Sequence, residues 1–177
     1  EWIDYIAPQI YLYFNYGPAA YEKLIDWWTK QTEGTGVNLY IGHAAYRVGA
    51  EDVNWQDPDQ IPNQILYNRS FEGVKGSIFF ASNNLLANPL GLKDRLQELF
   101  QYPALVPEAN MLDVAMPAAP EQLRAYTLPN GVQLIWEDSS DDAAYYVIYR
   151  AEGEGQTPDI TDAKQIVAAV RKQPEAA

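Results

Sequence analysis

Residues 4–13, DYIAPQIYLY, form a nearly continuous apolar run rich in aromatic and β-branched side chains. Such a run is typical of a strand buried on both faces, as strands of a parallel sheet are. Gly17-Pro18 follows, and proline suits the first turn of a helix. The next stretch, AAYEKLIDWWTK at residues 19–30, has its apolar residues at helical spacing. The sequence therefore predicts a strand followed by a helix.

This strand–helix unit recurs twice along the chain. Residues 37–46 (VNLYIGHAAY) and 74–82 (VKGSIFFAS) are predicted strands of the same kind. Between them, residues 57–60 (DPDQ) combine a capping aspartate, a proline at the first helical position and a glutamine three residues after the cap. This pattern predicts a helix that reaches about Tyr67, with an interruption near its start at Pro62.

A third helix is predicted after Pro89 and Gly91. Its apolar face consists of Leu92, Leu96, Leu99 and Phe100. Three strand–helix units in succession indicate right-handed crossovers and a parallel sheet, and so an α/β fold. A closed barrel and an open doubly wound sheet both fit this alternation, but no glycine-rich phosphate loop follows any of the three strands.

The pattern changes in the C-terminal part, after a predicted linker at residues 108–118. Residues 119–150 contain alternating apolar and polar positions around Trp136, with a turn at Pro129-Asn130-Gly131. We expect antiparallel strands packed around Trp136, and a further short strand at residues 164–170. This pattern favours a β-sandwich.

Composition excludes several classes of protein. The net charge is −12, and a chain this acidic repels phosphate backbones, so we expect no nucleic-acid partner. There is no cysteine and a single histidine, so neither a disulfide framework nor a metal site is expected. No apolar run reaches the roughly 18 residues of a membrane span. The chain opens almost inside a predicted strand, so we expect it to be part of a longer protein.

Three strings resemble one known family. DYIAPQIY at residues 4–11 is similar to the sixth barrel strand of the glycosyl-hydrolase-like family 10 of bacterial envelope proteins. LYIGHAAY at residues 39–46 resembles its seventh strand, and VKGSIFFAS at residues 74–82, with NPLG at residues 88–91, resembles its eighth. One departure is Leu12, where many relatives carry a tryptophan.

This resemblance implies that residues 1–107 are the last three units of a (β/α)8 TIM-type barrel that cleaves glycan strands, with peptidoglycan-type glycan the natural substrate. The rest of the barrel, upstream of this chain, would be a further partner. Residues 119–177 resemble the first part of an immunoglobulin-like (fibronectin type III) sandwich. The residues that carry this resemblance are Pro120, Leu123, Trp136, Tyr146 and Ile148. A bacterial protein secreted or held in the cell envelope is implied, with any membrane anchor outside this chain and no cofactor.

Candidate catalytic residues are scarce in the segments that follow the strands, where barrel active sites are built. Glycoside hydrolysis normally uses two carboxylates. Segments 11–17 and 81–89 contain no Asp or Glu, and segment 43–56 contains only the adjacent Glu51 and Asp52. Neighbouring residues point in different directions, so a solvated loop is the favoured interpretation for both. The catalytic carboxylates are therefore expected outside this chain, and this chain alone is predicted to be inactive.

Two polar residues allow a structural and a functional interpretation. His43, near the end of the second strand, is either partly buried and bonded to a backbone carbonyl, or donates to a sugar hydroxyl or a catalytic carboxylate. In the functional case, replacing His43 would impair glycan binding with little loss of stability. Gln9, inside the first strand, either ties the barrel together or contacts substrate.

A sugar-binding wall is predicted from residues at or just past the strand ends. They supply hydroxyl, amide and imidazole groups as well as ring faces. The predicted wall consists of Gln9, Tyr11, Asn15, His43, Tyr46 and Ser82. Two function hypotheses follow: part of a glycan-cleaving enzyme, or a non-catalytic glycan-binding or adhesion protein of the envelope.

Overall fold

The computed structural model describes residues 3–107, 117–138, 143–153 and 155–172. Residues 108–116, which form most of the predicted linker, lie outside these ranges. The chain divides into two compact units, Glu1–Gln101 with Leu105–Leu112, and Tyr102–Ala104 with Asp113–Ala177. No helix within the described ranges is long and apolar enough to cross a bilayer.

The first unit contains a three-stranded sheet with helices after each strand. Its strands and helices are β1 (Tyr5–Ile6), α1 (Tyr21–Thr32), β2 (Asn38–His43), α2 (Gln60–Asn68), β3 (Val74–Phe79), α3 (Ser82–Ala87) and α4 (Leu92–Leu99). The strands lie in the order β1-β2-β3, and both pairings are parallel. The predicted parallel order is confirmed.

β1 ends well before the predicted end of the first strand. It pairs with β2 over its two residues, and pairing resumes as a single bridge between Gln9 and Gly42. A continuous ladder needs a backbone N–H donor at position 8, which Pro8 lacks. The chains nevertheless stay close: Gly42 N–H donates to the Pro8 carbonyl at 2.9 Å, and Ile10 N–H donates to the Gly42 carbonyl at 3.1 Å. The prediction of one strand over residues 4–13 is therefore wrong in extent.

α2 begins at Gln60, later than predicted. The Asp57 carboxylate accepts a hydrogen bond from Asp59 N–H at 2.9 Å, so it closes a turn before the helix. Pro62 lies in the first helical turn, where N–H groups have no intrahelical partner. The helix therefore continues to Asn68 without a break, and the predicted interruption is wrong.

A short helix, α3, begins at Ser82, which was predicted to end the third strand, and continues where no helix was predicted. The Asn84 side chain accepts a hydrogen bond from Ala81 N–H at 3.3 Å at its start. Asn88 ends it in the left-handed region, with φ 52°. The Asn88 side chain also accepts from Lys93 N–H at 2.7 Å, which joins the end of α3 to the start of α4.

The two faces of the sheet differ in burial. Leu39 and Ile41 of β2 are fully buried in a cluster with Tyr21 and Ile25 of α1. A second cluster forms around Trp55, between α2 and α4; its buried members are Ala44, Ala45, Val48, Trp55, Ile61, Ile65, Leu92 and Leu96.

The opposite face carries Tyr5, Tyr40 and Ile78. The Tyr5 and Tyr40 rings meet edge to face at 5.6 Å. Tyr5 is 59% exposed and Ile78 is 45% exposed. The helices therefore cover one face of the sheet, while apolar side chains on the other face remain open.

The second unit consists of two antiparallel strand pairs. The pairs are β4 (Glu121–Leu128) with β5 (Gly131–Glu137), and β6 (Tyr145–Tyr149) with β7 (Ile166–Arg171). The predicted turn at Pro129-Asn130 connects β4 to β5. The prediction of antiparallel strands is confirmed, whereas the fibronectin type III assignment stays a prediction.

Trp136 contacts the other strand pair of this unit. Its ring lies 5.0 Å from the Tyr146 ring, edge to face. The Tyr146 hydroxyl donates to the Asp138 carboxylate, which also pairs with Lys172 at 2.7 Å. Trp136 is half-buried, so it packs less completely than a core tryptophan.

Candidate functional site

Backbone hydrogen bonds bring three segments together beyond the ends of the strands. Phe80 N–H donates to the His43 carbonyl, and Tyr46 N–H donates to the Phe80 carbonyl, both at 3.0 Å. These bonds extend the β2–β3 ladder into the segments that follow. The bond from Ile10 to Gly42 brings the segment after β1 to the same edge. The carboxyl edge of the sheet is therefore built from parts of all three strand–helix units, as in barrel active sites.

Three aromatic rings meet at this edge. Tyr11 lies 5.8 Å from Tyr46, edge to face, and 6.3 Å from Phe80, nearly parallel. Tyr46 and Phe80 are 5.9 Å apart at 86°. Tyr46 is 42% exposed and Phe80 is 56% exposed, while Tyr11 is half-buried. We call Tyr11, Tyr46 and Phe80 the aromatic platform.

The platform has the chemical character that sugar recognition requires. Ring faces pack against the apolar C–H face of a sugar, and the two tyrosine hydroxyls can donate or accept hydrogen bonds. The pKa of Tyr11 is raised, first by burial and then by the neighbouring Tyr46. Tyr11 is therefore a neutral hydrogen-bonding group across the physiological pH range.

His43 lies on the helix-covered side, away from solvent. Its side chain is fully buried and both ring nitrogens are bonded. Nδ1 lies 3.0 Å from Gln64 Oε1, and Nε2 lies 3.0 Å from Ser77 Oγ. Gln64 Nε2 donates in turn to the Leu12 carbonyl at 2.9 Å. One chain of hydrogen bonds therefore links β3, β2, α2 and the segment after β1.

The direction of these hydrogen bonds follows from the donors available. Because Gln64 donates through Nε2, its Oε1 must accept, so Nδ1 of His43 carries the proton. Burial lowers the pKa of His43 to about 4, while the bond to Gln64 raises it in part. The ring is neutral at pH 7, so Ser77 donates its hydroxyl proton to Nε2.

Ring stacking completes the surroundings of His43. Phe79 lies nearly parallel to it at 5.4 Å, and Tyr21 at 6.2 Å. This arrangement corresponds to the structural interpretation of His43, with side-chain partners in place of a backbone carbonyl. The geometry offers His43 no direct sugar contact, because both nitrogens are already used and no part of the ring is exposed.

The other predicted wall residues lie at the surface, apart from the platform rings. Gln9 is exposed beside the bridge to Gly42. Asn15 is exposed with φ 60°, and its backbone N–H donates to the Glu22 carboxylate at 3.3 Å. Ser82 is exposed at the first residue of α3. Among the residues that the structure describes, the platform therefore unites only Tyr11 and Tyr46 of the predicted six.

Glu51 and Asp52 show no arrangement suited to acid–base catalysis. Both are exposed. Asp52 Oδ1 accepts from the backbone N–H of Asn54 at 3.0 Å and from its side chain at 2.8 Å. These bonds are the main reason that the pKa of Asp52 is lowered, with a smaller effect from Arg47. Asp52 thus caps the short turn Val53–Trp55, and the described residues contain no cluster of metal ligands.

A cleft of about 570 Å³ lies at the other end of the strands. It is lined by the loops that precede β2 and β3, including Val37 and Gly73. Barrel enzymes build their sites at the carboxyl ends of strands, so this position argues against a catalytic role for the cleft.

Sequence reasoning missed two residues beside the predicted tyrosines. Phe80 completes the platform, and Arg47 Nε donates to the Tyr46 hydroxyl at 3.1 Å. The available signal was strand alternation: Phe80, directly after β3, lies on the same face as Ile78, while Ser77 and Phe79 share the other face.

Comparison with known proteins finds relatives named glycosyl hydrolases. Residues 1–60 match the model of the family Glycosyl hydrolase-like 10. The chain is 44% identical over 161 residues to Glycosyl hydrolase YngK of Bacillus subtilis. This alignment covers 87% of the chain and 32% of the Bacillus protein. The chain is 35% identical over 89 residues to Glycosyl hydrolase DigH of Escherichia coli K12, covering 47% of this chain and 20% of the relative. These matches support the Glycosyl hydrolase-like 10 family.

The extent of the matches adds two facts. The chain spans about a third of the length of the Bacillus relative and a fifth of the E. coli relative. The part not matched by the Bacillus relative, 13% of the chain, is about 23 residues, fewer than the 59 residues from 119 to 177. Similarity to that relative therefore extends into the second unit.

Proposed function

We propose that this chain is part of a glycoside hydrolase acting on envelope glycan strands, and that it supplies one wall of the sugar-binding cleft. The observation that carries the proposal is the aromatic platform of Tyr11, Tyr46 and Phe80 at the carboxyl edge of the sheet. The family match over residues 1–60 and the relatives named glycosyl hydrolases support it. Peptidoglycan-type glycan is the proposed substrate, in a secreted or envelope-held protein.

The open face of the sheet supports the barrel part of this proposal. Tyr5, Ile78 and Phe80 expose apolar surface on the face that the helices do not cover. Such surface is stabilised when other strands close over it. We propose that this is the inner face of a (β/α)8 barrel whose other strands lie elsewhere in a longer protein, and that residues 119–177 belong to a fibronectin type III-like sandwich.

The catalytic carboxylates are proposed to come from those other strands. The segments after β1 and β3 contain no Asp or Glu, and Asp52 is held as a turn cap. The 177-residue chain alone should therefore release no reducing ends from cell-wall glycan. Turnover by the purified chain would contradict this and would return attention to Glu51 and Asp52.

A non-catalytic glycan-binding protein is the second candidate. The same lack of carboxylates at this edge favours it, because a binding protein needs the rings alone. The full-length protein distinguishes the two candidates: an enzyme releases new reducing ends from glycan strands, whereas a binding protein retains the strands uncut.

The platform itself is tested by substitution in the full-length protein. Tyr46→Ala should lower kcat/KM, or raise Kd for a binding protein, by about 2- to 13-fold, since losing an aromatic contact costs ~0.5 to 1.5 kcal/mol. Tyr126→Ala is the matched control, because Tyr126 is similarly exposed but lies on β4. Unchanged glycan handling in a folded Tyr46→Ala variant would refute the platform.

A further inference from the structure

Arg47 is held beside the aromatic platform by its ring contacts. It ends the short turn Ala45–Arg47 that follows β2. Its guanidinium carbon lies 5.7 Å from the Tyr46 ring centre and 5.9 Å from the Trp55 ring centre. Its Nε donates to the Tyr46 hydroxyl at 3.1 Å. The side chain is therefore oriented before any ligand arrives, which lowers the entropic cost of binding.

The charge of Arg47 is not neutralised within the described part of the chain. No carboxylate there lies within 4 Å of its guanidinium, and the two terminal nitrogens make no hydrogen bond. Asp52 is the acidic residue whose pKa Arg47 affects, but its Oδ1 accepts both bonds from Asn54. The terminal N–H groups of Arg47 are thus available to a ligand.

The acidic surroundings of Arg47 favour selective binding of an anionic ligand at this position. The protein carries a net charge of −12, and segments 11–17, 43–56 and 81–89 contain no Lys and a single Arg, Arg47. An acidic protein repels anionic ligands in general, so an anionic ligand is expected to bind where an oriented cation attracts it. A planar guanidinium matches a carboxylate through two parallel N–H···O bonds.

We propose that Arg47 makes the aromatic platform selective for a sugar that carries a carboxylate. The sugar ring packs against Tyr46 and Phe80, and its carboxylate accepts hydrogen bonds from the terminal nitrogens of Arg47. This rests on the proposed glycan function and adds the substrate class to it. Uronic acids and amino sugars with a lactyl ether share this chemistry.

The test compares each charged glycan with its own neutral form in the full-length protein. One pair is a uronic acid polymer and its carboxyl-reduced product, and the other is peptide-free cell-wall glycan strands and their carboxyl-reduced product. We expect a preference of about tenfold or more for the charged form in at least one pair, since a hydrogen bond to a charged group is worth ~1.5 to 3 kcal/mol. The pair that shows it identifies the source of the carboxylate.

Arg47→Gln should bring that preference ratio close to one. Arg69→Gln is the matched control, because Arg69 also stacks on a ring, Phe100 at 5.2 Å, but follows α2 at the other end of the unit's strands. Arg69→Gln removes the same charge and should leave the preference ratio for the charged glycan unchanged. A preference that survives Arg47→Gln, or none in either pair, overturns the role of Arg47 while glycan function stands. Failure to handle any of the four glycans overturns both.

Discussion

Phe79 and Phe80 are neighbours in sequence and lie in two very different environments. Phe79 stacks on buried His43 under the helices, where both ring nitrogens of His43 are bonded within the protein. Phe80 faces the opposite side and is more than half exposed beside Tyr46. Strand alternation thus divides one aromatic-rich edge into a closed side that packs under the helices and an open side that faces solvent. The difference teaches that position at a strand end does not by itself make a residue a ligand contact.

The largest expected effect lies on the closed side. His43→Ala should lower the free energy of unfolding by about 3 kcal/mol or more, because it removes the partner of buried Gln64 Oε1 and of half-buried Ser77 Oγ and opens a cavity. Urea unfolding measures this. Activity per folded molecule should stay near the wild-type level. A stable His43→Ala variant with impaired glycan handling would instead place His43 in the sugar-binding wall.

The next effect sharpens the same contrast through pH. The pKa of His43 is about 4 when folded and 6.5 in the reference state, so below pH 6.5 the unfolded chain binds a proton that the folded chain does not. Stability from this residue is complete above pH 6.5 and is lost as pH falls towards 4, by about 3 kcal/mol in all. The loss is measured as the difference in unfolding free energy between the wild type and His43→Gln across this pH range.

NMR provides a direct check on that titration. His43 is the single histidine of this chain, so its ring proton resonance is unambiguous. A titration midpoint near 6.5 in the folded chain would show that the ring is hydrated and would remove the basis of the pH prediction.

The second unit offers an intermediate case. Trp136 is half-buried against Tyr146, so Trp136→Ala should destabilise this unit by about 2 kcal/mol, below the ~3 to 5 kcal/mol of a fully buried ring. Trp136→Phe should recover part of the loss. Tryptophan fluorescence is shared among five tryptophans, so thermal unfolding followed by circular dichroism is the better measurement. No change in stability would mean that the two strand pairs do not depend on this contact.

The smallest effect on stability is expected on the open side. Phe80→Ala should cost less than about 1 kcal/mol, because more than half of the ring is already in water. Glycan handling should nevertheless fall, in contrast to His43→Ala. A large loss of stability would show that Phe80 is a packing residue and would remove it from the platform.

Much of the first unit follows from sequence because its signals are local. Apolar runs and helical periodicity predict the parallel order and the positions of α1 and α4. The end of β1 depends on the missing donor of Pro8 in the ladder, which matters only once β2 is in register. α3 was missed because its start and end depend on asparagine side chains, at positions 84 and 88, that bond to backbone at either end.

The candidate site follows from sequence less completely. Leu39, Ile41 and His43 alternate along β2, so the burial of the two aliphatic residues already indicates that His43 shares their face. The grouping of Tyr11 with Tyr46 follows from the meeting of strand ends. The position of Arg47 depends on a turn and on Trp55, a residue of another turn, and no periodic pattern predicts such a contact.

The hydrogen-bond chain from Ser77 through His43 and Gln64 to Leu12 also bears on how the protein folds. Its three bonds join residues 34, 21 and 52 positions apart in sequence. Contacts of such long range require loop closure before they stabilise anything, so they form late. Each bond also leaves a buried polar group without a partner when its neighbour is absent. The chain of bonds therefore makes assembly of the three strand–helix units cooperative, and a ribosome-bound nascent chain should gain protection of the His43 Nδ1–H and the Gln64 side-chain N–H from hydrogen exchange together, only after β3 has emerged.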